Sequence, residues 1–135
     1  MYKRPVRFED VDAAGIVFFA RFFGMCHEAL EQLFEALPGQ GYVGLINDRR
    51  IGFPVVHAES DYQAPLRYGD VVEIDTKVEK IGTSSIVFLF TMRRARDQVV
   101  SAVVRHTCVM ADLNVMKSTG IPDDVRAVLD ANRVV

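Results

Sequence analysis

Phe19, Phe22, Phe23, Cys26, Leu30, Leu33, Phe34 and Leu37 recur at helical spacing, while Arg21, Glu28, Glu31, Gln32 and Glu35 fall largely on the opposite side. That pattern predicts one amphipathic helix over residues 18–37, roughly five turns at about 3.6 residues per turn. Pro38 and Gly39 close it, and Gly39, Gly41 and Gly44 with Asn47 and Asp48 make the next segment a loop or an irregular helix. Beyond Gly52 the period changes to two. Residues 53–64 read as extended and 65–70 as a turn region. Over residues 71–80, Val72, Ile74, Thr76 and Val78 alternate with Glu73, Asp75, Lys77 and Glu79, which predicts a strand with one wet face. Residues 84–94 are strongly apolar and 99–110 rich in β-branched side chains, with turns at Gly82-Thr83 and Ala95-Arg96-Asp97-Gln98, so the three strands read as a meander. Ahead of the helix, residues 3–8 form a short strand candidate with Val6 and Phe8 on one face and Arg7 on the other. Residues 112–120 read as loop. Pro122 occupies the place of a first helical position, with Asp123 and Asp124 in the first turn of a short helix over 122–132.

The order is therefore strand, long helix, four strands, short helix. A lone helix with one apolar stripe needs a sheet to cover it, and a mainly antiparallel curved sheet wrapped around that helix satisfies both patterns, an α+β arrangement of the hotdog type. With 135 residues, half of them hydrophobic, the chain suits one domain spanning 1–135. Such a sheet leaves open edges and uncovered apolar surface, so a homodimer, or a dimer of dimers, is expected.

Charge narrows the partners. The 16 basic and 18 acidic residues give a net charge of −2 and form no basic block of the kind that tracks a nucleic-acid backbone. Cys26 and Cys108 are isolated within apolar patterns and lack metal-ligand spacing, so they read as reduced core thiols and no metal site is expected. No run approaches the length of a membrane span, and no apolar signal segment follows Lys3 and Arg4, which makes a soluble cytoplasmic protein the expectation.

The chemistry-bearing stretch is Phe8-Glu9-Asp10-Val11-Asp12-Ala13-Ala14-Gly15-Ile16-Val17-Phe18-Phe19. Two acids run through small residues and a glycine into the helical pattern, where free backbone N–H groups and the positive end of the helix dipole lie within reach of a carboxylate. By spacing alone these aspartates serve as caps as readily as catalysts. Gly15 suits a tight loop that needs positive φ or the absence of a Cβ.

This run resembles the active-site signature of the hotdog acyl-CoA thioesterases of the 4-hydroxybenzoyl-CoA thioesterase family, which includes the Tol-Pal-associated thioesterase. Gly52-Phe53-Pro54-Val55-Val56, the segment from Tyr62 through Asp70 and Gly82-Thr83-Ser84-Ser85-Ile86-Val87-Phe88 resemble the family's strand and turn segments, so the likeness spans nearly the whole chain. The resemblance implies that Asp12 acts as nucleophile on the thioester carbonyl or as general base for water, with the backbone N–H of Phe19 as the main oxyanion donor. Asp10 then orients the loop or caps the helix start. Ala13, Ile16, Val17, Phe18, Phe22 and Phe23 are the expected acyl pocket. Two departures leave the acyl group open between aromatic and short-to-medium aliphatic: Tol-Pal-type members carry His where this chain has Phe19, and aromatic-substrate members carry Pro where it has Ala13.

Coenzyme A arrives as part of the substrate, so no separate cofactor is expected; Lys80, Arg93 and Arg94, with Arg96, are candidates for its phosphates. His27, at the edge of the apolar stripe, His57 and His106 read as structural, and Glu28 and Glu31 as solvated. The alternatives within the fold are a dehydratase or hydratase, which needs a His with its acid, and a non-catalytic acyl-CoA-binding or regulatory domain.

Overall fold

Alternation at period two builds the centre of the molecule. In the computed structural model, which describes residues 1–134, the strands β4 (Val71–Ile81), β5 (Ser85–Arg94) and β6 (Val100–Val109) form the expected antiparallel meander. β1 (Tyr2–Pro5) pairs with β4 at one edge, β2 (Ile51–Gly52) lies apart, and β3 (Val55–Tyr62) pairs with β6 at the other edge, giving the order β1-β4-β5-β6-β3. The inward-facing Val72, Ile74, Val78, Ile86, Phe88, Phe90, Met92, Ala102 and Val104 are buried against Phe22, Met25, Cys26, Ala29 and Leu30 of the helix α1 (Arg21–Leu33). Each large side chain so buried contributes about 1.5 to 3 kcal/mol. This is the hotdog architecture, a sheet curved around one long helix.

The helix is shorter at both ends than its apolar spacing predicts. At the front, Val17 N–H donates to the Leu66 carbonyl and Phe18 N–H to that of Asp10, so the chain is held extended and turning until Arg21. Phe18 and Phe19 continue the apolar period but stand exposed. At the back, residues Phe34–Ala36 tighten into a 3₁₀ turn, because Pro38 excludes the α conformation at Leu37. Phe8 likewise departs from the expectation of an inward strand residue: it lies in a 3₁₀ turn, Phe8–Asp10, and is 76% exposed, its ring edge-on to Tyr68 at 5.9 Å.

Residues Gly41–Asn47 do form a helix, α2. The stretch expected as loop after β6 carries two short strands, β7 (Ala111–Asp112) and β8 (Lys117–Ser118), in a small sheet ordered β2-β7-β8. Gly52 sits there with the Leu113 side chain so close that an added Cβ would lie 3.0 Å from it. Pro122 is the residue before α3 (Asp123–Ala131) rather than its first turn; its extended ψ of 152° starts the helix one position later. Among the described residues, no helix is long and apolar enough to cross a membrane.

Candidate active site

The loop between β1 and α1 is framed from below by a buried ion pair. Asp10, 1% exposed, receives the Arg4 guanidinium of β1 and the Arg7 backbone N–H at 2.7 Å. Burial pushes the Asp10 carboxyl up, but the Arg4 hydrogen bonds and charge, with the Arg7 N–H, outweigh it and hold the group below the usual carboxylate range. Asp10 thus orients the loop, as expected, and its backbone carbonyl seats Phe18 N–H at 2.9 Å; it does not cap α1. Arg4 is the partner that sequence reading missed, because an arginine in a short strand gives no sign of burial.

Above this frame the backbone closes on itself. Asp12 N–H donates to the Ile16 carbonyl and Gly15 N–H to that of Asp12, each at 3.0 Å, and Ile16 bridges to Arg67. Gly15 has φ +79°, and a Cβ there would meet nothing within 4 Å, so the turn needs the conformation and not the missing side chain. The Asp12 side chain is exposed. Its Oδ1 accepts Ala14 N–H at 2.8 Å, and among the described residues nothing partners its Oδ2.

Asp12 opens onto an apolar cleft of about 540 Å³ lined by Ile16, Val17, Phe18, Phe19, Phe22, Tyr62, Gln63, Ala64 and Pro65. Phe18 and Phe19 lie 4.8 Å apart, and Tyr62 stands edge-on to Phe22 at 5.0 Å and to Phe19 at 6.4 Å. At the start of α1, no side chain among the described residues caps the helix. The Phe18 carbonyl takes Arg21 N–H and the Phe19 carbonyl takes Phe22 N–H, whereas the N–H groups of Phe19 and Ala20 have no acceptor among the described residues. A free carboxylate oxygen and the free Phe19 amide therefore belong to residues lining one apolar cleft, with the free Ala20 amide next along the chain.

Of the residues expected at the site, Asp12, Ile16, Val17, Phe18, Phe19 and Phe22 come together at this cleft. Ala13 and Phe23 lie outside its lining; Phe23 instead stacks on His106 at 5.6 Å. Tyr62, Gln63, Ala64 and Pro65 are the lining residues missing from the expected pocket. Tyr62 carried a readable signal, since it is in phase with the inward Ala58 and Ser60 and ends β3 where Pro65 turns the chain. Arg94 reaches the rim through the Pro65 carbonyl at 3.1 Å but is also paired with Asp97, and Arg96 is paired with Asp70. Arg93 lies opposite Glu73 on β4, and Lys80 is at the far end of that strand, away from the cleft.

Among the described residues, no histidine lines the Asp12 cleft. His27 lies on a separate cleft of about 300 Å³ with Glu31, Tyr42 and Asn47, and its ring is 5.6 Å from that of the buried His106. Burial, then the neighbouring His27, pushes His106 down to about 4. His57 is exposed on β3. Glu28 is not merely solvated: it accepts the Tyr2 hydroxyl at 2.8 Å and Arg4 Nε at 3.4 Å. Both cysteines are free and buried, burial pushing the Cys108 thiol up to about 12 and raising that of Cys26 further still.

On a hotdog fold, a free carboxylate oxygen and an unpaired amide beside an apolar cleft are an arrangement that can serve thioester hydrolysis. A family model described as the thioesterase-like superfamily matches residues 6–129, and the chain belongs to that superfamily. Over 132 residues it is 35% identical to a 1,4-dihydroxy-2-naphthoyl-CoA hydrolase of Nostoc punctiforme, covering 98% of this chain and 87% of that one. Among solved structures it resembles a gentisyl-coenzyme A thioesterase (28% identity, TM-score 0.84, 96% of this chain and 99% of that one). It also resembles a 1,4-dihydroxy-2-naphthoyl-CoA thioesterase from Synechocystis (25% identity, TM-score 0.85, 96% and 93%).

Proposed function

We propose that this protein hydrolyses an acyl-CoA thioester to a free carboxylic acid and CoA, with Asp12 as nucleophile or general base and the Phe19 N–H in the oxyanion site. The observation that carries this reading is the presence of an unpartnered Asp12 Oδ2 and an unpaired Phe19 amide on residues lining the same apolar cleft. As nucleophile, Asp12 attacks the carbonyl carbon, the C–S bond breaks, the thiolate leaves and takes a proton from solvent, and water then opens the mixed anhydride. As base, Asp12 takes a proton from a water that attacks the same carbon, and the proton passes to the departing sulfur. In either route negative charge develops on the carbonyl oxygen, where a fixed N–H donor is worth about 3 to 4 kcal/mol.

The acyl group is aromatic in the reading the lining supports best: four aromatic side chains wall the cleft, and the relatives named above act on aromatic acyl-CoA esters. Short-to-medium aliphatic groups are the second class for the same apolar walls. The working unit is a homodimer, because β3 is an edge strand whose residues are nearly all exposed, including the inward-facing Ala58 and Tyr62.

Asp12→Asn is the test. Steady-state release of thiol from 1,4-dihydroxy-2-naphthoyl-, benzoyl- and hexanoyl-CoA is expected to fall about 10²- to 10⁴-fold with the fold intact. Wild-type turnover by this variant would overturn the assignment of Asp12, and binding of all three esters without hydrolysis would favour a non-catalytic acyl-CoA-binding domain.

A further inference from the structure

Tyr62 ends the edge strand β3, and the sheet fixes its position firmly. It lies opposite Ala102 of β6, and the two residues after it are tied to Ser101, whose carbonyl accepts Gln63 N–H at 2.8 Å and whose hydroxyl donates to the Ala64 carbonyl at 2.8 Å. From that anchor the Tyr62 hydroxyl reaches the entry of α1 and donates to the Phe19 carbonyl at 3.0 Å. The Phe19 carbonyl belongs to the same planar peptide unit as the Ala20 N–H, which has no acceptor of its own among the described residues. A carbonyl that accepts hydrogen bonds polarises the N–H at the other end of its peptide, so the Tyr62 bond strengthens that amide as a donor while fixing where it lies. Among the described residues it is also the only side-chain hydrogen bond to the backbone of residues 18–20.

We propose that Tyr62 is a positioning residue of the thioesterase site: its hydroxyl braces the Phe19–Ala20 peptide against the sheet, so that the amides at the helix entry keep one position relative to Asp12. This rests on the reading of Asp12 and the helix-entry amides given above. The ring has a second, separable duty. Standing edge-on to Phe19 and Phe22, it forms the sheet-side wall of the acyl cleft, so that one side chain couples the fit of the acyl group to the placement of the oxyanion donors.

The two duties are separated by two variants. Tyr62→Phe keeps the wall and removes the brace. With benzoyl-CoA as substrate, kcat is expected to fall about three- to tenfold, the loss of one neutral hydrogen bond, with KM within about twofold of wild type. Tyr62→Ala removes both, and KM is expected to rise about tenfold or more in addition. Two further readouts separate bracing from general destabilisation and do not depend on turnover: the melting temperature of Tyr62→Phe is unchanged, and its Ala20 amide resonance moves while amides in β4 and β5 do not. The proposal is overturned if Tyr62→Phe keeps wild-type kcat, if its loss of kcat is matched by a lowered melting temperature, or if the Ala20 amide is unmoved. Asp12→Asn run in parallel distinguishes the two failures: an inactive Asp12→Asn with a wild-type Tyr62→Phe removes the brace alone, and an active Asp12→Asn removes the reading on which it rests.

Discussion

His106 is a titratable group held in an apolar box, and stability should record it. Its ring is 3% exposed, stacked on Phe23, edge-on to Phe90 at 5.3 Å and beside His27. Burial first, and the His27 imidazole second, push it from 6.5 to about 4 in the folded protein. Between those values the unfolded chain binds a proton that the folded chain refuses, so stability rises with pH through this window. The contribution of neutral His106 is complete above pH 6.5, declines as the pH falls below it, and has gone by pH 4. Between pH 8 and pH 5 the linkage amounts to about 1 to 2 kcal/mol. Asp10 and Asp70, both held below the usual carboxylate range, lose their contributions only at lower pH, outside the window of His106. The assay is urea unfolding of wild type and His106→Phe at one protein concentration, at pH 8 and at pH 5. With an m-value of about 2 kcal/mol/M, the wild-type midpoint should fall by about 0.5 to 1 M more than that of the variant. Midpoints that fall in parallel would refute the reasoning, because the ring would then be as protonatable folded as unfolded.

Asp10→Ala should destabilise the protein by about 3 to 5 kcal/mol in chemical denaturation, since it strands the buried Arg4 charge; restored stability in the double variant with Arg4→Met would confirm the cause. Phe34→Ala should cost about 3 to 5 kcal/mol, because Phe34 is fully buried and stacked on Phe53 at 5.0 Å. Gly15→Ala should cost about 1 to 2 kcal/mol through its positive φ alone, and thiol-release assays should show a fall in kcat as the turn carrying Asp12 shifts.

The sheet and its meander were legible because one face of each strand is wet and the other dry, and the alternation at residues 71–80 survives intact in the buried Val72, Ile74, Thr76 and Val78. The helix start was not legible from period alone. Phe18 and Phe19 extend the apolar stripe because they line a cleft, and periodicity does not distinguish an apolar group turned to a core from one turned to an open cleft. Phe8 misled for another reason: it lies in a 3₁₀ turn, exposed against Tyr68, and not in the strand whose alternation it continues. The loop motif carried Asp12 and Gly15, yet Arg4 stayed hidden, since nothing in a short strand marks an arginine as buried, and the phase of Tyr62 along its strand says nothing of a hydroxyl that reaches a backbone carbonyl 43 residues away.

The backbone of residues 16–18 is held from outside its own side chains, by carbonyls of Leu66 and Asp10, while the rings of Phe18 and Phe19 are 45% and 59% exposed. A site built in this way separates what must stay constant from what is free to drift. Replacing either ring should alter which acyl group is preferred at little expense to folding, and the donor amides travel unchanged through such replacements. If the cleft holds the acyl group as proposed, its selectivity is open to change in single steps, and a small library at positions 18 and 19 tests that directly.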